Sequence, residues 1–243
     1  MNAEIGGRLL VLDRAVLEDS DLSKASFDQL AVTSSTFVRC DFRLVFFEPK
    51  WQPIFSAGPR NVFIECHFER ADLRRIHPGQ ARFEGCIFDD ALLDGWTSYC
   101  AEFVDCHFSG RIVNVRFHGR PWGPDGPAVL PPREINEFRG NDFRKAELIR
   151  SAFVNGLDVS AQRWPDGGEY VYLDRIHQRI TRAHAEVMRW RDMEGKKAAV
   201  ALLQATSNLY ARQREIIVRK GDPPVPTPTE VEQRVIDSLL RAM

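Results

Sequence analysis

Cys66, Cys86 and Cys106 recur at intervals of twenty residues, and His67 and His107 each follow one of them. Thiolate and imidazole together form the donor set of a zinc site, and aligned thiols can also oxidise to disulfides. The spacing opposes both. If twenty residues make one turn of a repeating coil, the two histidines lie two coils apart on one side, roughly 9 to 10 Å, whereas zinc holds its ligands about 2.0 to 2.3 Å away. Ile87 fills the equivalent position between them, and stacked Cβ vectors pointing the same way give poor disulfide torsion. The cysteines are therefore expected to be inert packing thiols, in a slot that alanine also occupies.

His177 and His184 lie seven residues apart on one face of a helix, but two turns separate them and no third ligand is evident. Surface positions are expected for both. The acidic pair Asp89-Asp90 falls on outward positions, and paired carboxylates need a cleft before they can do acid–base work. Gly119, Gly123 and Gly126 bracket prolines and read as turn formers. No phosphate loop, dinucleotide-binding glycine pattern, nucleophile elbow or metalloprotease helix occurs. No catalytic residue, cofactor or metal is expected.

The elements that carry these residues follow from a period. Phe63, Phe83 and Phe103 are twenty residues apart, as are Phe68, Phe88 and Phe108. Within that interval a finer beat of five places a large apolar residue two positions after a small one, as in Ala71-Asp72-Leu73 and Ala81-Arg82-Phe83. The beat runs unbroken through Leu12, Leu17, Leu22, Phe27, Val32, Phe37, Phe42 and Phe47. It resumes one residue out of register at Phe63, continues through Phe68, Leu73, Phe83, Phe88, Leu93, Phe103, Phe108 and Val113, and ends with Phe138, Phe143, Leu148 and Phe153. It falls on Pro78 and Ser98, so one side is irregular, with Ile76 and Trp96 expected as its apolar plug. Two Pro-rich stretches, 48–62 and 118–135, read as loop insertions.

A period of five is neither the 3.6 of a helix nor the 2.0 of a simple strand. It is reconciled if each five-residue unit makes a short side and a turn, and four such units close a coil that stacks on the next through parallel hydrogen bonds about 4.7 to 4.9 Å apart. The large residues then line the axis, and each buried Phe or Leu contributes on the order of 1.5 to 3 kcal/mol against the ordering entropy.

The alternation of Ala, Cys, Ser or Asn, then a variable and often acidic residue, then Leu or Phe and two polar residues resembles the pentapeptide-repeat family. Ala71-Asp72-Leu73-Arg74-Arg75 matches its central motif, and the likeness covers about residues 10–48, 61–117 and 136–158. The resemblance implies a right-handed parallel quadrilateral β-helix of roughly five to six coils over 1–163, without catalysis. It also implies a specific partner, since one subset of the family mimics double-stranded DNA, binds type II topoisomerase (gyrase) and protects it from inhibitors.

After the turn at Trp164-Pro165-Asp166-Gly167-Gly168 the pattern becomes helical, making 164–243 a C-terminal helical region. Leu173, Ile176, Ile180, Ala183, Val187 and Trp190 form one stripe, and a second apolar helix, from Val200 to Ile217, is expected to end near Lys220-Gly221, giving an α-helical hairpin over 169–220. A Pro-rich linker, 222–228, precedes a short terminal helix, 229–243, opened by a Thr229/Glu232 capping box. The hairpin is expected to cap the bare end of the coils. Val231, Val235 and Leu239 could dock the terminal helix on its own chain or on a second copy as a homodimer.

Trp51, Trp122 and Trp164 sit beside prolines, where an interface-prone side chain either meets a partner or folds back on the coils. Residues 1–168 carry twenty basic against twenty-four acidic side chains and 169–243 carry thirteen against ten, so direct nucleic-acid binding is not expected. No apolar run is long enough for a membrane span, and five free cysteines fit a reducing cytoplasm. The reading is a non-catalytic protein–protein interaction or scaffold protein whose partner is unknown. The competing readings are topoisomerase modulation by DNA mimicry and an enzyme with a site between tail and coils, for which His177 and His184 would be tested first.

Overall fold

The computed structural model describes residues 9–27, 29–47, 55, 59–74, 76–122 and 129–241. Short strands stack in parallel ladders, one coil on the next. One ladder begins with β1 (Leu9–Asp13) on β4 (Gln29–Thr33), and a second joins β3 (Ser26–Phe27) to β6 (Phe46–Phe47). The longest runs in the order β2 (Val16–Glu18), β5 (Thr36–Val38), β7 (Val62–Ile64), β8 (Arg82–Glu84), β11 (Glu102–Val104), β14 (Phe138–Arg139). A fourth stacks β9 (Ile87–Asp89), β12 (His107–Val113) and β15 (Asp142–Ile149), and a fifth β10 (Thr97–Ser98), β13 (Arg116–His118) and β16 (Ala152–Val154).

The register confirms the period. Phe63 pairs with Phe83 and Phe83 with Phe103, each twenty residues on, while Phe37 pairs with Phe63 and Phe103 with Phe138 across the two insertions. The insertions therefore add six and fifteen residues to an otherwise constant turn. Their bounds are slightly narrower than the composition suggests, because Val62 opens β7 and His118 closes β13. The beat also slips at one place. Ile112 is buried and Val113 is half-exposed, following a register shift between His107 and Ser109 in the β12–β15 pairing.

Phe63, Phe68, Phe83, Phe88, Phe103 and Phe108 are all at most 1% exposed. Their rings stack in columns: Phe42–Phe68, Phe68–Phe88, Phe88–Phe108 and Phe108–Phe143 have centroids 4.9, 5.0, 5.0 and 4.6 Å apart with planes within 7°. A neighbouring column stacks Phe37, Phe63, Phe83 and Phe103 and meets the first edge to face, as in the 5.9 Å contact of Phe63 with Phe68. Ile76 and Trp96 are buried as the expected plug, and Trp96 Nε1 donates to the Leu73 carbonyl at 2.6 Å. Phe55, inside the first insertion, also turns inward and packs against Phe63 at 5.2 Å.

Each coil turns at the second residue after an inward side chain. Asp19, Arg39, Glu65, Arg70, Asp90 and Asp105, which follow Leu17, Phe37, Phe63, Phe68, Phe88 and Phe103 in this way, all have φ between 48° and 58°. Left-handed backbone costs a non-glycine residue roughly 1 to 2 kcal/mol. The corner amides offset this by bonding the next coil, as Asp19 N–H does to Val38 O at 3.0 Å and Arg39 N–H to Ile64 O at 2.8 Å. Gly119 is not a turn former: a Cβ there would lie 2.2 Å from the Leu157 amide nitrogen, so the residue is small because two backbones touch.

Parallel pairing persists to Arg163, which bridges Asp142. Beyond it the chain departs from the expected helical hairpin. β17 (Tyr170–Leu173) pairs antiparallel with β18 (Ile216–Arg219), and between them lie α1 (Ile176–Val187) and α2 (Met193–Leu209), followed by α3 (Thr229–Arg241). The second helix thus ends at Leu209, not near Lys220-Gly221. Ile216 and Ile217, β-branched and adjacent, suit a strand whose partner lies more than forty residues upstream. The capping box does not form either, because Glu232 Oε1 accepts from the Gly221 N–H at 2.7 Å. Buried Arg179 joins α1 to α3 by donating to the Leu239 carbonyl at 2.8 Å, one of the acceptors a helix C-terminus leaves unpaired.

The tail covers a flank as well as an end. Leu157, Val159, Trp164, Tyr170 and Ile217 join the coil core, while the helices form a second core with Ala152 and Val154 of β16. No helix among the described residues is long and apolar enough to cross a membrane.

If the ring columns hold the coils together, Phe88→Ala should lower unfolding free energy by about 3 to 5 kcal/mol in urea titrations. Phe46→Ala, at a position 40% exposed on an outer face, should change it by less than about 0.5 kcal/mol. Equal losses at the two sites would contradict the core assignment.

Candidate functional site

The cysteine column is packing material. All five cysteines are buried and free, and the thiols of Cys66, Cys86 and Cys106 point to the carbonyls of Phe37, Phe63 and Phe83 at 3.6, 3.4 and 3.4 Å. Burial and the thiol of Cys106 push Cys86 well above the usual thiol range. His67 and His107 flank Ile87 in one ladder column, each turned to a carboxylate: Glu69 at 2.9 Å and Asp89 at 2.6 Å. Among the described residues no cluster of three metal-ligating side chains occurs.

The outward acidic residues serve the corners. Asp41, Asp72 and Asp142 each accept the backbone N–H of the arginine two residues on, at 2.9, 3.3 and 3.0 Å, and pair with its guanidinium. Such Asx-type bonds stabilise a turn locally, and the arginine cancels the charge. Bonding and charge from Arg144 hold the Asp142 carboxyl down to about 2. In β11 of the longest ladder, buried Glu102 gathers arginines from both insertions. It pairs with Arg60, lies 3.5 Å from Arg133 and 3.8 Å from Arg82, and accepts the Glu137 N–H at 3.0 Å. This cluster ties the inserted loops to the coils.

Of the residues selected as partner contacts, Trp51 lies outside the described residues. Trp164 folds back on the coils. It ends the main ring column, stacked on Phe143 at 5.2 Å and edge-on to Phe153 at 4.5 Å, with Nε1 donating to the Val159 carbonyl at 2.8 Å. Trp122 is 50% exposed, with the Arg212 guanidinium 5.3 Å from its ring centre. Val231, Val235 and Leu239 are buried in the second core, so the stripe expected to dock α3 is used within the chain and is not presented to a second copy.

A cleft of about 810 Å³ separates the β10–β13–β16 wall from the tail, lined by Tyr99, Arg116, His118 and Trp122 on one side and by Thr206, Leu209 and Tyr210 of α2 and its C-terminal turn on the other. His177 and His184 are exposed and do not line it. Arg116 and His118 were not singled out by sequence, because they occupy ordinary outward slots on either side of Phe117 and acquire neighbours only when the tail docks.

No family model matches the chain, and no curated protein matches it. Among solved structures it is similar to QnrB1, a plasmid-mediated fluoroquinolone resistance protein, with 14% identity over 63% of this chain and 80% of that one and a TM-score of 0.19. A trypsin-treated variant of QnrB1 gives 13% identity over 65% and 79%, with a TM-score of 0.23. HetL, a pentapeptide repeat protein involved in heterocyst differentiation regulation in the cyanobacterium Nostoc sp. strain PCC 7120, gives 12% over 66% and 86%, with a TM-score of 0.19. Scores this low support no argument, and the fold rests on the ladders and ring columns.

Two outcomes follow. At about pH 8 the native protein should resist thiol reagents, all five cysteines reacting only after denaturation; rapid labelling of the folded form would refute the buried column. Asp142 titrates below its ordinary value of 3.8, so its contribution is complete above that pH and is lost as pH falls through about 2. Asp142→Asn should therefore lower Tm at neutral pH, and the gap to the wild type should close between pH 4 and pH 2. Melting curves that stay parallel over that range would exclude this role.

Proposed function

We propose that the coils close into a right-handed, four-sided solenoid that acts as a non-catalytic scaffold for a protein partner in the cytoplasm. The observation that carries this reading is how the side chains are used. The repeated residues are consumed in the ring columns and the corners, and the described histidines and cysteines form no cluster with metal-ligating geometry. What remains outward is a rigid face of alternating carboxylates and guanidiniums, with half-exposed Trp122 beside the second insertion.

Such a face suits a partner with interleaved charges of its own. It suits DNA mimicry less well, since duplex DNA presents one unpaired negative charge per about 1.7 Å of axis. The pairing of Asp41, Asp72 and Asp142 with arginines therefore weighs against a type II topoisomerase as the partner.

Affinity capture from the native organism with the wild type, Trp122→Ala and the triple variant Arg43→Glu/Arg74→Glu/Arg144→Glu provides the test. A partner held by the wild type and lost with either variant, at unchanged circular dichroism, is the expected result. A gyrase supercoiling assay should be unaffected by micromolar protein, with or without a quinolone. Protection of the enzyme in that assay would replace the present reading with topoisomerase modulation.

A further inference from the structure

The cleft between the β13 wall and α2 contains polar groups that neither the coil nor the tail uses. His118 is 9% exposed, and neither ring nitrogen has a hydrogen-bond partner. Its ring lies 5.1 Å from that of Tyr99. Leaving a buried polar group unsatisfied is unfavourable, and imidazole always brings at least one donor that water would otherwise satisfy. Burial, with the charge of Arg116 beside it, lowers the His118 pKa to about 4, so the ring is neutral at physiological pH and offers one donor and one acceptor.

Arg116, two residues before His118 on β13, has an exposed side chain and no ion pair or side-chain hydrogen bond among the described residues. It contrasts with Arg43, Arg74 and Arg144, each bound to its own aspartate. Arg116 also lies close enough to Tyr210, at the end of α2, to influence its hydroxyl electrostatically. A guanidinium facing a partly enclosed cleft without a counter-charge favours a planar anion, which its fork can grip with two parallel bonds. Flat walls complete the site: Tyr99 lies 5.1 Å from the His118 ring, and the Trp122 N–H bonds the Tyr99 carbonyl at 3.3 Å. The volume, about 810 Å³, falls in the range of roughly 300 to 1,000 Å³ that encloses a small ligand.

The acidic lining residues lie elsewhere. Asp222 accepts the Arg150 N–H at 2.8 Å, and Glu232 accepts that of Gly221. Their charges disfavour a polyanion spanning the whole cleft, while Arg116, beside His118, has no ion pair among the described residues. We propose that the cleft around Arg116 and His118 is a binding site for a small planar aromatic monoanion, its carboxylate on Arg116, its ring edge hydrogen-bonded by His118 and its faces against Tyr99 and Trp122. The site does not depend on which macromolecule the outer face binds.

The probes are 2-naphthoate and its neutral amide, 2-naphthamide, titrated against the full chain by isothermal calorimetry and tryptophan fluorescence. Saturable binding of naphthoate, at least tenfold tighter than the amide, is expected. Arg116→Ala should abolish that preference at an unchanged melting temperature, because the side chain it removes is exposed and unpaired. His118→Phe, which keeps the ring volume, should weaken naphthoate at least threefold. No saturable binding up to millimolar naphthoate would overturn the proposal. So would equal affinity for acid and amide, or a preference that survives Arg116→Ala.

Discussion

Parallel strands repeat every 4.7 to 4.9 Å or so, and aromatic rings stack at nearly the same distance. The rest of the molecule depends on that coincidence. Because Phe68, Phe88 and Phe108 occupy equivalent places in successive coils, the backbone ladder sets their separation at 5.0 Å and their planes lie within 7° of parallel. Hydrogen bonding and packing therefore favour the same rise per coil. Where fifteen extra residues intervene, one column loosens, with Phe103 and Phe138 5.8 Å apart and inclined at 63°, while Phe108 and Phe143 keep their stack at 4.6 Å. Buried amides take over part of the pairing there. Asn141 accepts the Cys106 N–H at 3.0 Å and donates to the Phe103 carbonyl at 2.9 Å, joining coils that the insertion has separated in sequence.

Holding that rise also shapes the exterior. A five-residue side must turn within two residues, which forces left-handed corners on arginine, aspartate and glutamate where glycine would be easier. Aspartate just before the inward residue accepts the N–H of the arginine just after it, and that arginine's guanidinium returns to the aspartate. Much of the acidic surface is thereby committed to local architecture, and the outer face becomes a lattice of ion pairs instead of a stripe of one sign. Exposed pairs of this kind add little stability, about 0 to 1 kcal/mol each.

The period of five, the inward Phe and Leu, the small-residue slot, the two insertions and the inert cysteines were all legible in the sequence, because each is repeated and a repeat reports itself. Single events were not. The slip that buries Ile112 in place of Val113, the inward turn of Phe55 and the contact at Gly119 each occur once, and each depends on a residue in another coil. For Trp164 the sequence left open whether it meets a partner or folds back, and stacking on Phe143 makes it the last ring of a column. In the tail, helical periodicity marked three helices, but the strand of Ile216 and Ile217 needed its partner at Tyr172 and Leu173 to be recognisable.

The chain by itself determined the coil, since a hydrophobic repeat of constant length permits only one way of placing equivalent residues over one another. Tertiary structure alone decided what the outward residues mean. Arg43 and Arg116 are the same residue type on the same kind of surface, but one closes on Asp41 and the other faces a cleft formed when α2 and β18 settle against the β13–β16 wall. Local sequence governs a neighbour two residues away; a distant neighbour is chosen by the packing of the whole tail, which places Tyr210 and Arg116 in one cleft.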